Sequence, residues 1–122
     1  MEQVIAKLST YENVRLFIFG GGPVEREYSE RMEQTYPRVT SVIGRIKLGQ
    51  EMELVSNLDL MVSMDSSSMH MASLVGVPAV SIWGATHPYA GFYGLGPDPQ
   101  HAVKLAMACR PCSLYGNKTC VY

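Results

Sequence analysis

Apolar and polar residues are arranged in blocks that predict alternating strands and helices along the chain. Strands are predicted at residues 14–22, 39–44, 58–65, 78–85 and 101–107. Helices are predicted at residues 1–10, 23–37, 47–57 and 66–76. Repeated strand–helix units with short connections are typical of parallel α/β folds. The pattern therefore predicts a Rossmann-like parallel sheet with flanking helices.

Local signals support the helix boundaries. Pro23 suits a first helical position and is followed by acidic residues, as expected at a helix N-terminus. Apolar residues recur every four positions in this helix and predict one apolar face: Val24, Tyr28, Met32 and Tyr36. Gly76 followed by Pro78 predicts the end of the helix at 66–76. Residues 86–100, rich in Gly, Pro and Tyr, are predicted to form a long loop.

Length and composition limit the function classes. The chain has 122 residues, 47% of them hydrophobic, which is enough for one compact domain with a core. A formal net charge of −1 and the absence of a basic cluster argue against nucleic-acid binding. No apolar run is long enough to cross a bilayer, and residues 1–10 do not resemble a secretory signal. These features predict a cytoplasmic location.

Two strand-to-helix junctions compete as anion sites, because helix N-termini at the carboxyl edge of a parallel sheet present unpaired N–H groups. The first junction, GGGPVERE at 20–27, lacks the spacing of a dinucleotide-binding loop. Pro23 removes one donor there, and Glu25 and Glu27 would repel a phosphate. The second junction, MDSSSMHM at 64–71, has three serine hydroxyls and no acid after Asp65. His70 adds a further donor. From spacing alone, an ordinary capped helix start with a packed histidine remains the alternative.

Residues 59–88 resemble the signature of glycosyltransferase family 9, the ADP-heptose lipopolysaccharide heptosyltransferases. That signature runs Asp-Ser/Thr-Gly-x-x-His, Ala, Gly-x-Pro, a strand and Gly-x-Thr-x-Pro, and its counterparts here are Asp65 to His70, Ala72, Gly76 to Pro78 and Gly84 to Pro88. The upstream FGGGPVERE also resembles the Gly-Gly-x-x-Glu of the family, with Glu25 as the matching acid.

The resemblance implies one half of a two-domain GT-B glycosyltransferase. Residues 1–122 would form most of the C-terminal nucleotide-sugar-binding domain, with its first strand and closing helix missing and the acceptor domain absent. The nucleotide-sugar donor would bind, without metal or other cofactor, at a set of site residues: Asp65, Ser66, Ser67, Ser68, His70 and Thr86. Its diphosphate would lie at the serine-helix junction, against backbone N–H groups and hydroxyls. Glu25 would accept a hydrogen bond from a ribose hydroxyl. No catalytic residue is expected in this chain, because the acceptor-side base would belong to the absent domain.

One departure from the family pattern concerns the donor. Ser67 stands where the family has glycine, so it either narrows the site or adds a hydroxyl contact.

Three cysteines, Cys109, Cys112 and Cys120, form a C-x-x-C motif with a third cysteine after it. A structural zinc site needs four ligands, and no second C-x-x-C or H-x-x-x-H follows. A redox motif would be expected at a strand-to-helix junction rather than after the last strand. A loop of reduced cysteines, resembling the cysteine-bearing tail of many family members, is therefore expected rather than a metal site.

The predicted function is donor binding in an inverting enzyme that transfers heptose from a nucleotide sugar, ADP-heptose, to a lipopolysaccharide or glycolipid acceptor. The parent enzyme would work at the inner face of the inner membrane as a peripheral protein. Two alternatives remain open from sequence: another GT-B-like nucleotide-sugar enzyme, such as a sugar epimerase, and a non-catalytic nucleotide-binding module.

Overall fold

The computed structural model describes residues 1–94, 99–107, 111 and 115. The helices of this part of the chain are α1 (Glu2–Leu8), α2 (Pro23–Thr35), α3 (Leu48–Val55) and α4 (Ser67–Leu74). Its strands are β1 (Leu16–Ile18), β2 (Val39–Ser41), β3 (Met61–Met64), β4 (Ala79–Trp83) and β5 (Ala102–Lys104). The predicted long loop contains two 3₁₀ turns, Pro88–Ala90 and Pro99–His101. All predicted helices and strands are present, with shorter strands than expected.

All strand pairs in the described residues are parallel, which confirms the predicted α/β class. They form two sheets, a two-stranded sheet β1-β2 and a three-stranded sheet β3-β4-β5. The chain likewise divides into two compact units, Met1–Glu51 and Met52–Tyr122.

The first unit is built on a β1–α2–β2 crossover. Ile5 of α1, Met32 of α2 and Val39 of β2 form its buried apolar cluster. The predicted apolar face of α2 is only partly correct, because Val24 is 78% exposed while Ser29 is fully buried. Ser29 faces the strand instead, and its hydroxyl lies 2.7 Å from the hydroxyl of Ser41 on β2.

The second unit contains the three-stranded sheet and α4, which packs on β3 and β4. Met69 and Ala72 of α4 and Trp83 of β4 are among its buried residues. The helix ends as the sequence predicts, since Gly76 adopts a left-handed φ of 74° that favours glycine. In the described residues, no helix is long and apolar enough to cross a membrane.

Candidate functional site

The second unit brings three loop starts to one edge of its sheet. Because β3, β4 and β5 are parallel, their carboxyl ends lie together, where α/β folds bind ligands. Met64 of β3 is in register with Ile82 of β4, which is in register with Val103 of β5. The serine cluster, Ser66 to Ser68, follows β3, and the loop containing Thr86 follows β4. Both therefore begin at the edge where β5 also ends.

Ser66 is the residue at which α4 begins, but its side chain does not cap the helix. Its backbone is extended, with φ −150° and ψ 172°, and its hydroxyl makes no capping hydrogen bond. The hydroxyl is instead 3.0 Å from that of Ser63, which donates to the carbonyl of Met64 at 2.8 Å. Since Ser63 has one hydroxyl proton, Ser66 is the donor in the Ser66–Ser63 pair. The structure therefore does not show Ser66 as an ordinary side-chain cap of α4.

The first turn of α4 consequently retains unpaired donors. Within the described residues, the amide N–H groups of Ser67 and Ser68 have no hydrogen-bond acceptor. Both belong to the group of N–H donors that a helix leaves unsatisfied at its start. The first turn carries no acid, and Ser67 is exposed. This helix end has the donors and the dipole orientation that suit an anion.

Asp65 and His70 lie on either side of this turn. Asp65 is half-buried between the end of β3 and the start of α4, whereas His70 is exposed on α4. The alternative in which His70 is a packed histidine is therefore wrong, because its side chain is exposed. Its role as a donor to a ligand stays a prediction.

The loop after β4 holds Thr86, which is half-buried, and His87. His87 accepts a hydrogen bond at Nδ1 from the backbone N–H of Tyr89, at 3.2 Å. Lys104, the last residue of β5, places its Nζ 3.4 Å from Nε2 of His87 and 5.3 Å from the centre of the Tyr89 ring. Sequence reasoning missed Lys104, although a basic residue within a predicted fifth strand was a visible signal.

Glu25 lies in the first unit, at the glycine-rich junction between β1 and α2. Its Oε2 accepts hydrogen bonds from the backbone N–H groups of Gly21, at 2.7 Å, and Gly22, at 3.4 Å. These bonds, that from Gly21 foremost, hold the pKa of the Glu25 carboxyl below its ordinary value. The glycine-rich junction thus binds a carboxylate of its own chain, as in a capping box. The predicted ribose contact of Glu25 stays a prediction.

No group of three or more His, Cys, Asp or Glu side chains able to hold a metal ion occurs in the described part of the chain. The cysteines of the C-x-x-C motif, Cys109, Cys112 and Cys120, lie outside the described residues.

Comparisons with known proteins agree on one family. The family model of glycosyltransferase family 9 (heptosyltransferase) matches residues 2–120. The chain is 28% identical over 102 residues to lipopolysaccharide heptosyltransferase 1 of Pseudomonas aeruginosa. That alignment covers 84% of this chain and 27% of the relative, so the chain spans about a quarter of the length of this curated relative. No solved structure matches the chain significantly.

Proposed function

This chain belongs to glycosyltransferase family 9, and from that membership we propose that it is the donor-binding domain of an inverting heptosyltransferase. The donor is a nucleotide sugar, ADP-heptose, and the acceptor is a lipopolysaccharide or related glycolipid. Acceptor binding and the catalytic base belong to a part of the enzyme outside these 122 residues. The enzyme works at the cytoplasmic face of a membrane as a peripheral protein.

The open first turn of α4 carries this proposal. The amides of Ser67 and Ser68 have no acceptor in the described residues, and the hydroxyl of Ser66 is directed to Ser63 rather than to them. A diphosphate is the part of a nucleotide sugar whose charge and acceptor oxygens suit such a helix end. The glycine-rich junction of the first unit is a poorer candidate, because Glu25 already occupies its amides.

Each remaining site residue receives a role in this proposal. Ser67 and Ser68 supply hydroxyl and amide donors to the diphosphate, Ser66 supplies its backbone N–H because its hydroxyl donates to Ser63, and exposed His70 donates from the following turn. Thr86 approaches the donor from the loop after β4. Asp65, at the end of β3, accepts from a sugar or amine group rather than from the diphosphate, because a carboxylate would repel phosphate.

Calorimetric titration of the chain with ADP, UDP and ADP-heptose tests the proposal. We expect binding of ADP and ADP-heptose and weaker binding of UDP. A preference for UDP would favour another nucleotide-sugar enzyme, and no nucleotide binding would favour a module without this chemistry.

A charge-specific substitution locates the binding site. In Ser66→Asp the new carboxylate would cap the open amides of α4 and exclude a second anion, so ADP binding should be lost while the melting temperature stays the same or rises. Ser66→Asn is the matched control, because asparagine caps as well but adds no charge. If Ser66→Asp binds ADP as tightly as Ser66→Asn, the diphosphate does not lie on α4.

A further inference from the structure

Lys104 is a cation at the carboxyl edge of the three-stranded sheet. It is the last residue of β5, it is exposed, and it forms no ion pair with the described residues. Its ammonium group lies instead beside the imidazole of His87 and against the ring of Tyr89.

The contact between Lys104 and His87 is not a hydrogen bond in which the imidazole accepts. Nδ1 of His87 accepts the N–H of Tyr89, so the ring carries its proton on Nε2. The Lys104 ammonium has donors only. Two nitrogens that both carry protons are therefore held 3.4 Å apart, an arrangement that an acceptor oxygen placed against Lys104 would stabilise.

The described residues of the second unit include few charged side chains near this edge of the sheet. Among its described residues, Lys104 is the only lysine or arginine. In the described segments that follow its three strands, 65–74, 84–94 and 105–107, Asp65 is the only acid. A helix N-terminus contributes about half a unit charge, which is less than a diphosphate carries. A side-chain cation at the same edge would neutralise part of the remaining charge.

The position of Lys104 fits that need. It follows Val103, which shares a row across the sheet with Met64, two residues before Ser66. Two strand spacings, roughly 10 Å, separate the backbones of β3 and β5, and a lysine side chain covers about half of that distance. A diphosphate on α4 that extends toward β5 would come within its reach.

We propose that Lys104 binds the donor diphosphate from the β5 side and so makes the site selective for a diphosphate over a monophosphate. This inference rests on the proposed function, because it assumes a nucleotide on α4. It adds a residue outside the serine cluster and a second strand to the site. His87 and Tyr89 act as positioning residues that hold the ammonium group at the sheet edge.

The test compares AMP and ADP binding in Lys104→Gln and in the unaltered chain. The unaltered chain should prefer ADP, and Lys104→Gln should weaken ADP binding about tenfold while changing AMP binding less than about twofold. Lys7→Gln, the same charge change at an exposed lysine of the first unit, should change neither. Lys104→Arg should retain the preference for ADP.

If Lys104 only stabilised the fold, Lys104→Gln would weaken AMP and ADP binding equally. A second variant tests the neighbouring ring. Tyr89→Leu removes the ring beside the ammonium group but leaves its charge, so the ratio of ADP to AMP affinity should remain above one. Equal weakening of AMP and ADP in Lys104→Gln would overturn the inference. Since Lys104 is exposed, glutamine should be tolerated, and Lys104→Ser serves as a second variant if the melting temperature falls.

The two proposals fail differently. If the unaltered chain binds ADP and Lys104→Gln binds it equally well, the role of Lys104 is wrong and the donor site on α4 stands. If the unaltered chain binds neither ADP nor ADP-heptose, the donor site is wrong and the role of Lys104 falls with it.

Discussion

Glu25 shows how one side chain can define a junction. Its carboxylate accepts hydrogen bonds from the amides of Gly21 and Gly22, so a side chain of α2 itself caps the start of this helix. Gly20 makes this possible, because a Cβ there would lie 2.8 Å from Oε2 of Glu25 and 3.0 Å from Cδ1 of Ile43. A Cβ at Gly21 would contact nothing within 4 Å. A side chain at position 21 therefore has room, whereas one at position 20 would displace Glu25 or Ile43.

Gly20→Ala should consequently destabilise the chain, whereas Gly21→Ala should not. In Gly20→Ala the flexible end of Glu25 must move away, and loss of its cap should lower the free energy of unfolding by about 1 kcal/mol. Gly21→Ala should be neutral or slightly stabilising, because alanine restricts the unfolded chain. Urea unfolding of both variants measures the difference, and equal destabilisation would contradict it.

The pH dependence of stability gives a second test of Glu25. The pKa of its carboxyl is lowered from the ordinary value of 4.5, so folding favours the ionised form. That contribution is fully present above the unfolded-state pKa and is lost as pH falls through the lower folded-state pKa. Glu25→Gln should therefore be less stable than the unaltered chain at about pH 7, and the gap should narrow as the pH falls below the ordinary carboxyl pKa of 4.5 and through the lower folded-state pKa. A gap that stays constant as the pH is lowered in urea titrations would argue against ionisation of Glu25 as its source.

At the scale of elements, a buried pair of hydroxyls joins α2 to β2. Ser29 donates to the carbonyl of Arg26 at 2.8 Å, which leaves Ser41 as the donor to Ser29 at 2.7 Å. Both serines are at most 1% exposed. The pair is therefore directional, and its two members should respond differently to substitution.

Ser29→Ala should cost more stability than Ser41→Ala. In Ser29→Ala the buried Ser41 hydroxyl loses its acceptor, which should lower the free energy of unfolding by about 1–3 kcal/mol. In Ser41→Ala the Ser29 hydroxyl keeps the Arg26 carbonyl, so the loss should be below about 1 kcal/mol. The double variant should resemble Ser41→Ala more closely than the sum of the two. A larger loss in Ser41→Ala would reverse the assigned direction.

The sequence predicts the elements well and their faces less well. Apolar runs and Pro23 and Gly76 are local signals, so the order and type of every predicted helix and strand are confirmed. The apolar face of α2 is different, because a four-residue repeat advances roughly 40° beyond each full turn. Residues twelve positions apart, such as Val24 and Tyr36, therefore lie about 120° apart and cannot all face one core. Which of them is buried depends on where β2 lies, and that is a long-range property.

The same distinction holds for the candidate site. An acid-free helix start after Asp65 can be identified from local spacing. The turn of the Ser66 hydroxyl toward Ser63 and the approach of Lys104 to His87 cannot, because both depend on side-chain orientation or on strand register.

At the scale of the whole molecule, the chain contains two compact units, and each has its own buried methionine. Met32 is 1% exposed in the first unit, and Met69 is fully buried in the second. Removing either side chain beyond Cβ should lower stability by about 2–5 kcal/mol through loss of buried apolar contacts.

Peptide-resolved hydrogen exchange should show where each loss is felt. Met32→Ala should speed exchange first in residues 1–51, and Met69→Ala first in residues 52–94, because local contacts set local protection. Uniform loss of protection over the whole chain in both variants would show that unfolding is a single cooperative event.

Trp83 gives the chain an optical property that follows from its position. It is the only tryptophan in the sequence, it is 3% exposed, and its indole N–H donates to Ser81 at 2.8 Å. It is also in register with Lys104 at the edge where the donor is proposed to bind. Intrinsic fluorescence of the chain therefore reports on one buried indole beside that edge, with emission shifted toward the blue. If the donor binds at this edge as proposed, we expect nucleotide binding to quench this emission, which can be measured without any label.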